Sequence, residues 1–317
     1  MKKSGILQAI AYLFIAFLNF SCVIQKNSAL PFLSKESYCV PPKYVNYFKY
    51  NNHTNADSVL NANSMLRLKF SAESILIMNV LRINDEVYEI VKQSDKKNLE
   101  TSVRLNALKQ QIDNRVWLAN SEIDALSAEL DCEGERIDQI AQFIDDKNSN
   151  SNNKLTVASI VIGAVSGITS VLITKESINN GVAIGAGVIG AGLGFATLNP
   201  KGKKIELITT RNLLRDIWLE QNNNDISPFV WYMLTEPRFS NTGKSSLLKN
   251  TKNRWLLYQF DDNLKLANQS VNFSSGGIYF AEDLHARSQM INQLQSVVRS
   301  TKQNLNVFIA ELTSAFD

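Results

Sequence analysis

Three cysteines, two histidines and two glycine-bearing motifs are where this 317-residue chain would carry chemistry. His53 stands in a polar stretch and His285 on the surface side of a helical one. Neither has a Cys, His or acidic neighbour at the spacing a metal site needs. Gly243-Lys244-Ser245 has the ending of a phosphate-cradling loop, but Arg238 stands where the first glycine belongs and no strand pattern precedes it. Gly185-Ala186-Gly187-Val188-Ile189-Gly190 satisfies G-x-G-x-x-G formally. It follows no apolar strand of its own and lies in a run of small residues, so it reads as fortuitous. Asp145-Asp146 and Asp261-Asp262 read as solvated caps or turns. The residues thus offer no catalytic group, no cofactor site and no metal site, and the expectation is a protein that is not an enzyme.

Charge narrows the partners. With 33 basic and 30 acidic residues the net charge is +3, which lacks the concentrated basic excess that a nucleic-acid surface requires. Six prolines in this length suit long helices better than a many-turned β-sandwich.

The elements that dominate the chain are two apolar segments, Leu155–Thr174 and Gly181–Leu198, joined by a short turn that holds Lys175 and Glu176. Neither contains a charge, and each has the roughly 18 residues needed to cross a hydrocarbon core of about 30 Å as a helix. Small residues recur every four positions: Ser159, Gly163 and Gly167 in the first segment, then Ala183, Gly187 and Ala191, and Ala186, Gly190 and Gly194 in the second. Such stripes let helix backbones approach closely in lipid. Residues 155–198 are therefore expected to form a glycine-rich membrane hairpin. The stretch ahead of it, Asp145–Lys154, is rich in Ser and Asn and reads as a flexible hinge, with residues 147–154 as the linker itself. Lys154, Lys201, Lys203 and Lys204 flank the hairpin. They would favour a cytoplasmic location for its ends or contact with anionic headgroups.

At the N-terminus, Lys2 and Lys3 precede an apolar run, Ile6–Phe20, and then Ser21-Cys22. That is the layout of a secretory signal over residues 1–21. A small residue before a cysteine resembles the lipobox of bacterial lipoproteins, although Asn19 and Phe20 depart from its usual Leu and small residue. The resemblance implies cleavage before Cys22, lipidation of Cys22 and a place in the bacterial cell envelope, with the outer membrane favoured and the inner membrane as the alternative. Export would let Cys39 and Cys132 form a disulfide tying the N-terminal loop to the helical body; two unpaired thiols are the alternative.

The remainder reads as helical domains around the hairpin. Residues 22–57 form a tether with clustered aromatics. Residues 58–146 form a helical domain, in which Leu66–Phe70 fits a short strand and Ala72–Lys92 one helix. Ile112, Ala119, Leu126 and Ile140 share one heptad position, interrupted by Glu133; Val116, Ile123, Leu130, Ile137 and Ile144 share its companion. Residues 199–317 form a C-terminal helical domain. It begins with a helix at Ile205–Glu220, includes another begun by Ser227-Pro228, and follows a turn at Ser274–Gly277 with a long helix at Ile278–Phe316. There Leu284, Ile291, Val298, Leu305 and Leu312 recur every seven residues, with Arg287 and Thr301 diluting the companion position. The fold class expected is all-α: long heptad-bearing helices forming a coiled-coil-like bundle, with a central glycine-rich apolar hairpin. The order of long helix, apolar hairpin and long helix over Lys97–Phe316 resembles α-helical pore-forming toxins, which implies a hairpin that inserts into a lipid membrane, with self-association. The alternative is a structural or assembly lipoprotein whose coiled coil binds a helical protein partner.

Overall fold

Helix starts in this chain are set by short polar side chains. Asn55, Ser71, Asn212, Ser227, Ser246 and Asn263 each accept a hydrogen bond from a backbone N–H of the next turn, satisfying a donor the helix itself leaves open. The computed structural model describes residues 37–41, 55–93, 98–172 and 202–316, and over 150–172 the backbone alone. Its helices are α1 (Ala56–Ala62), α2 (Ala72–Leu81), α3 (Asn84–Gln93), α4 (Leu99–Leu172), α5 (Leu213–Leu219), α6 (Pro228–Thr235), α7 (Leu247–Phe260), α8 (Leu264–Asn268) and α9 (Ala281–Phe316). Two short strands, β1 (Lys204–Ile208) and β2 (Gly276–Phe280), pair antiparallel with Lys204 opposite Phe280 and Ile208 opposite Gly276. The class is all-α, as the heptads indicate.

The heptads meet in one interface. On α4, Ile112, Ala119, Ile123, Leu126, Leu130, Ile137, Ile140 and Ile144 are buried; on α9, Leu284, Ile291, Leu294, Val298, Leu305, Phe308, Leu312 and Ala315 are buried. Polar links fix the antiparallel register, from Lys109 Nζ on the Phe316 carbonyl, through Lys302 Nζ on Asp124 at 2.6 Å, to Gln295 Nε2 on Asp131 at 2.7 Å. Each fully buried Leu or Ile contributes roughly 1.5–3 kcal/mol, so this seam outweighs any single polar contact. Gly134 supplies a close approach: a Cβ there would lie 2.4 Å from Asn292 Oδ1, and Ser288 Oγ donates to the Gly134 carbonyl. The interruption at Glu133-Gly134 is thus a change of contact within a continuous helix.

Against this pair lies α2, whose residues Ser74–Leu81 are all buried. Its start is tied to α9 by the Ser71 N–H on Glu311 at 2.9 Å. Beyond β1, an aromatic cluster closes the other side, with Phe273 stacked on Trp218 at 4.7 Å and near Trp255 and Phe260. Segments 58–146 and 199–317 therefore pack as one unit.

Four local expectations are corrected. Ala72–Lys92 is two helices, because Arg82 takes a left-handed conformation and Ile83 N–H bonds the Met78 carbonyl while the Ile83 side chain is buried. Leu66–Leu68 is a 3-10 turn instead of a strand, so Leu66 is buried and Leu68 exposed. The helix expected at Ile205–Glu220 starts only at Leu213: residues 204–208 alternate exposed and buried as a strand, and Asn212 caps the helix after it. Its partner strand takes up the expected turn at Ser274–Gly277 and delays the last helix to Ala281.

Candidate functional site

The stretch read as a hinge, 147–154, is helical: α4 passes through it without a break to Leu172. Ser and Asn are only modestly poor helix formers, the stretch has no Gly or Pro, and extending an existing helix is far easier than nucleating one. One side chain there also has a tertiary role. Asn148 Oδ1 accepts from the Lys203 N–H at 2.7 Å, and Gly202, at φ +60, lets the Asn148 amide approach where a Cβ would collide with it at 2.6 Å. Chain leaving the body after Asn148 therefore comes back to the same point at Gly202. His285, near the start of α9, lies half-exposed across the same end of the bundle, with Nε2 at 2.7 Å from Asp145 and Nδ1 at 3.9 Å from Asp138.

The chain between these anchors contains the whole apolar stretch. The backbone of α4 carries Ser159, Gly163 and Gly167. Ala183, Ala186, Gly187, Gly190, Ala191 and Gly194 lie outside the described residues, as do Cys22 and the signal segment. Among residues with described side chains, no helix is long and apolar enough to cross a membrane.

A second site lies under the N-terminal strap, residues 37–41. Cys39 is bonded to Cys132 of α4, with Cα atoms 5.6 Å apart. At the next residue of α4, Glu133 Oε2 accepts from Ser37 Oγ at 2.6 Å. Beneath the strap is a cavity of about 240 Å³, adjoined by a groove with which it shares Val40, Glu129 and Arg211. Its charged lining comes from three elements. On α4, Arg136, only 1% exposed, makes a two-point contact with Glu133 at 2.8 and 2.9 Å. From the loop after β1, Arg211 does the same with Glu129 at 2.6 and 2.9 Å and bonds the Asp225 carboxylate and carbonyl. On α9, Arg287 is wholly buried; its Nη1 donates to the Asn272 carbonyl at 2.9 Å, and Asn212 Oδ1 lies 3.5 Å from both terminal nitrogens.

Electrostatics separates these groups. Burial pushes the Glu133 carboxyl up, but the Arg136 guanidinium and the Ser37 hydroxyl outweigh it and hold it below the usual range. At Glu129 burial wins over Arg211 and the carboxyl is raised, while Arg211 is itself raised because Glu129 and Asp225 outweigh its desolvation. The bidentate geometry is that of an ionised pair. Burial lowers Arg287, and no carboxylate bonds it directly. Glu133 and Arg287 were visible in the sequence only as polar residues interrupting the two heptad seams. Their coincidence at one level of an antiparallel pair is the signal that would have found this cavity.

The Gly185–Gly190 motif lies outside the described residues. Gly243-Lys244-Ser245 lies in a turn ahead of α7, with open space at Gly243. Among the described residues no group of His, Cys, Asp or Glu is arranged to hold a metal. Comparison with protein-family models, with characterised proteins and with solved structures finds no match.

Proposed function

We propose that this chain is an exported, lipid-anchored protein of a bacterial envelope that engages a membrane through its apolar stretch at 155–198. The observation that carries the reading is the clasp between Asn148 and Lys203. Asn148 and Lys203, which meet, lie on either side of the apolar stretch, so the chain departs from and returns to one point of the body. Antiparallel helices packed by heptads make a stiff base for such an excursion. The continuation of α4 as a helix into Leu172 supports a helical first arm, and the small-residue stripes support close packing of two arms in lipid. In this reading the continuous helix α4 takes the place of the flexible hinge.

Two assays test this. Protein beginning at residue 22 with Cys22→Ser, so that no lipid anchor contributes, is mixed with anionic vesicles and floated on a density gradient. Co-flotation is expected, and Gly190→Asp should abolish it by placing a charge within the apolar segment. Flotation unchanged by Gly190→Asp would remove the stretch from the interaction. Separately, palmitate labelling of a product lacking residues 1–21 is expected for the anchor, and an unlabelled full-length product would contradict it.

A further inference from the structure

We propose that β1 presents a free strand edge on which a second copy of this chain pairs, joining two β1–β2 ribbons into one continuous sheet. The ladder fixes which backbone groups are available. Thr209 N–H donates to the Ser275 carbonyl, and these two residues lie opposite each other in the register that sets Ile208 opposite Gly276. Hydrogen-bonded pairs alternate along an antiparallel ladder, so Ile205 and Leu207 turn their N–H and C=O toward β2. Lys204, Glu206 and Ile208 turn theirs away. Among the described residues no hydrogen bond reaches the backbone of these three, and all three are exposed, Ile208 at 51%. The outer edge of β2 is closed by side chains. Ser274 Oγ donates to the Gly276 carbonyl at 2.7 Å and accepts from the Gly276 N–H at 3.2 Å, and the Phe280 N–H donates to Asp283 Oδ2 at 3.0 Å. The edge of β1 has no such closure, and an open edge is a template for adding a strand.

The charges on this edge select the occupant. A second β1 related by a twofold axis runs antiparallel to the first, and each residue on the axis defines one register. Centring on Lys204 or on Glu206 sets like charges face to face. Centring on Leu207 or Ile208 sets both charges opposite neutral residues. Centring on Ile205 sets Lys204 opposite Glu206 of the partner subunit and Glu206 opposite Lys204 of the partner subunit. Opposite charges directly across two strands are stabilising, and like charges there are destabilising. The Ile205 register also places the outward-turned Lys204 and Glu206 in the hydrogen-bonded positions, clear of Gly202, whose φ of +60 takes the chain out of the extended conformation. The strand thus carries, two residues apart, both charges that a copy of itself requires. This pairing needs no lipid and is independent of the membrane reading.

Sedimentation equilibrium of the chain beginning at residue 22 with Cys22→Ser, in density-matched detergent at low, fixed ionic strength, tests this. A dimer that populates reversibly with concentration is expected. Lys204→Glu alone and Glu206→Lys alone each put two like-charge pairs into the contact, and each should weaken dimerisation at least about tenfold. An equimolar mixture of these two variants should restore it, because every cross-strand pair between them is then opposite in sign. The double variant, Lys204→Glu with Glu206→Lys, should dimerise like the parent chain. Glu206→Pro removes an outward N–H and spares the β1–β2 ladder, so it should abolish the dimer. Restoration by mixing separates strand pairing from association through residues 155–198, which are the same in every variant. The proposal is overturned by a parent chain that stays monomeric, by a dimer indifferent to either charge change or to Glu206→Pro, or by a mixture that associates no better than its components.

Discussion

Removing the Cys39–Cys132 bridge, by Cys39→Ser with Cys132→Ser, is expected to cost more stability than any other change in the strap. The bridge joins positions 93 residues apart. Cross-linking a loop of ~100 residues restricts the unfolded chain by about 4.7 kcal/mol in the loop-entropy treatment, and native bridges typically contribute 2–5 kcal/mol. Without the bridge, strap and α4 are still joined by the Ser37–Glu133 hydrogen bond, a contact to a charged group of about 1.5–3 kcal/mol while the strap stays in place. The strap offers little else to hold it, since Val40 and Tyr38 are exposed. A loss of about 3–4 kcal/mol is therefore expected, which for a body of this size lowers the melting temperature by roughly 10 °C at 2–4 °C per kcal/mol. The assay is urea unfolding followed by tryptophan fluorescence, with wild type in dithiothreitol as a second route to the same state. Both should move the midpoint down together. A double serine variant with an unchanged midpoint, or wild type indifferent to reductant, would refute the bridge as a fastening of the strap.

Three further outcomes are expected. Glu133, whose folded carboxyl lies below its unfolded value of about 4.5, contributes stability that is present above that pH and lost as pH falls through the folded value; Glu133→Gln should thus be less stable than wild type at pH 7, with the gap in urea midpoint closing on acidification below about pH 4.5. Gly134→Ala should gain about 0.5–1 kcal/mol in helix propensity, because exposed Asn292 can turn away and Ile291 at 3.4 Å is in ordinary contact, whereas Gly134→Leu should force α9 outward and lower the melting temperature. Phe273→Ala should lose about 3–5 kcal/mol in urea unfolding and alter Trp218 fluorescence, since Phe273 is the centre on which Trp218, Trp255 and Phe260 converge.

The long-range frame was legible because heptads report burial directly: nearly every residue assigned to the two seams is buried, with Val116 half-buried at the edge. Local punctuation was legible where a cap announced it, as at Ser227-Pro228. It failed where the deciding contact is tertiary. Ile205 and Leu207 suit a strand or a helix equally until Tyr279 and Gly277 are seen opposite. Arg82 ends α2 in a conformation usually marked by Gly, because the buried Ile83 closes the turn. Asp145–Lys154 has the composition of a linker, yet its place in α4 follows from helix continuity and from Asn148 meeting Lys203, which composition does not express. The cavity was hidden for a similar reason. Glu133 and Arg287 each looked like a flaw in a seam, and only antiparallel pairing sets them at the same level.

The claim on which the function rests is that the stretch clasped between Asn148 and Lys203 meets lipid. Gly190→Cys in the chain beginning at residue 22 with Cys22→Ser, labelled with an environment-sensitive fluorophore under conditions that keep Cys39 bonded to Cys132, reads this at the residue concerned. On adding anionic vesicles the emission should shift to the blue and be quenched by quenchers placed in the acyl chains, while the same label at Ser149, beside the clasp, should stay in water. Emission at 190 that remains water-like in the presence of vesicles would contradict the membrane function.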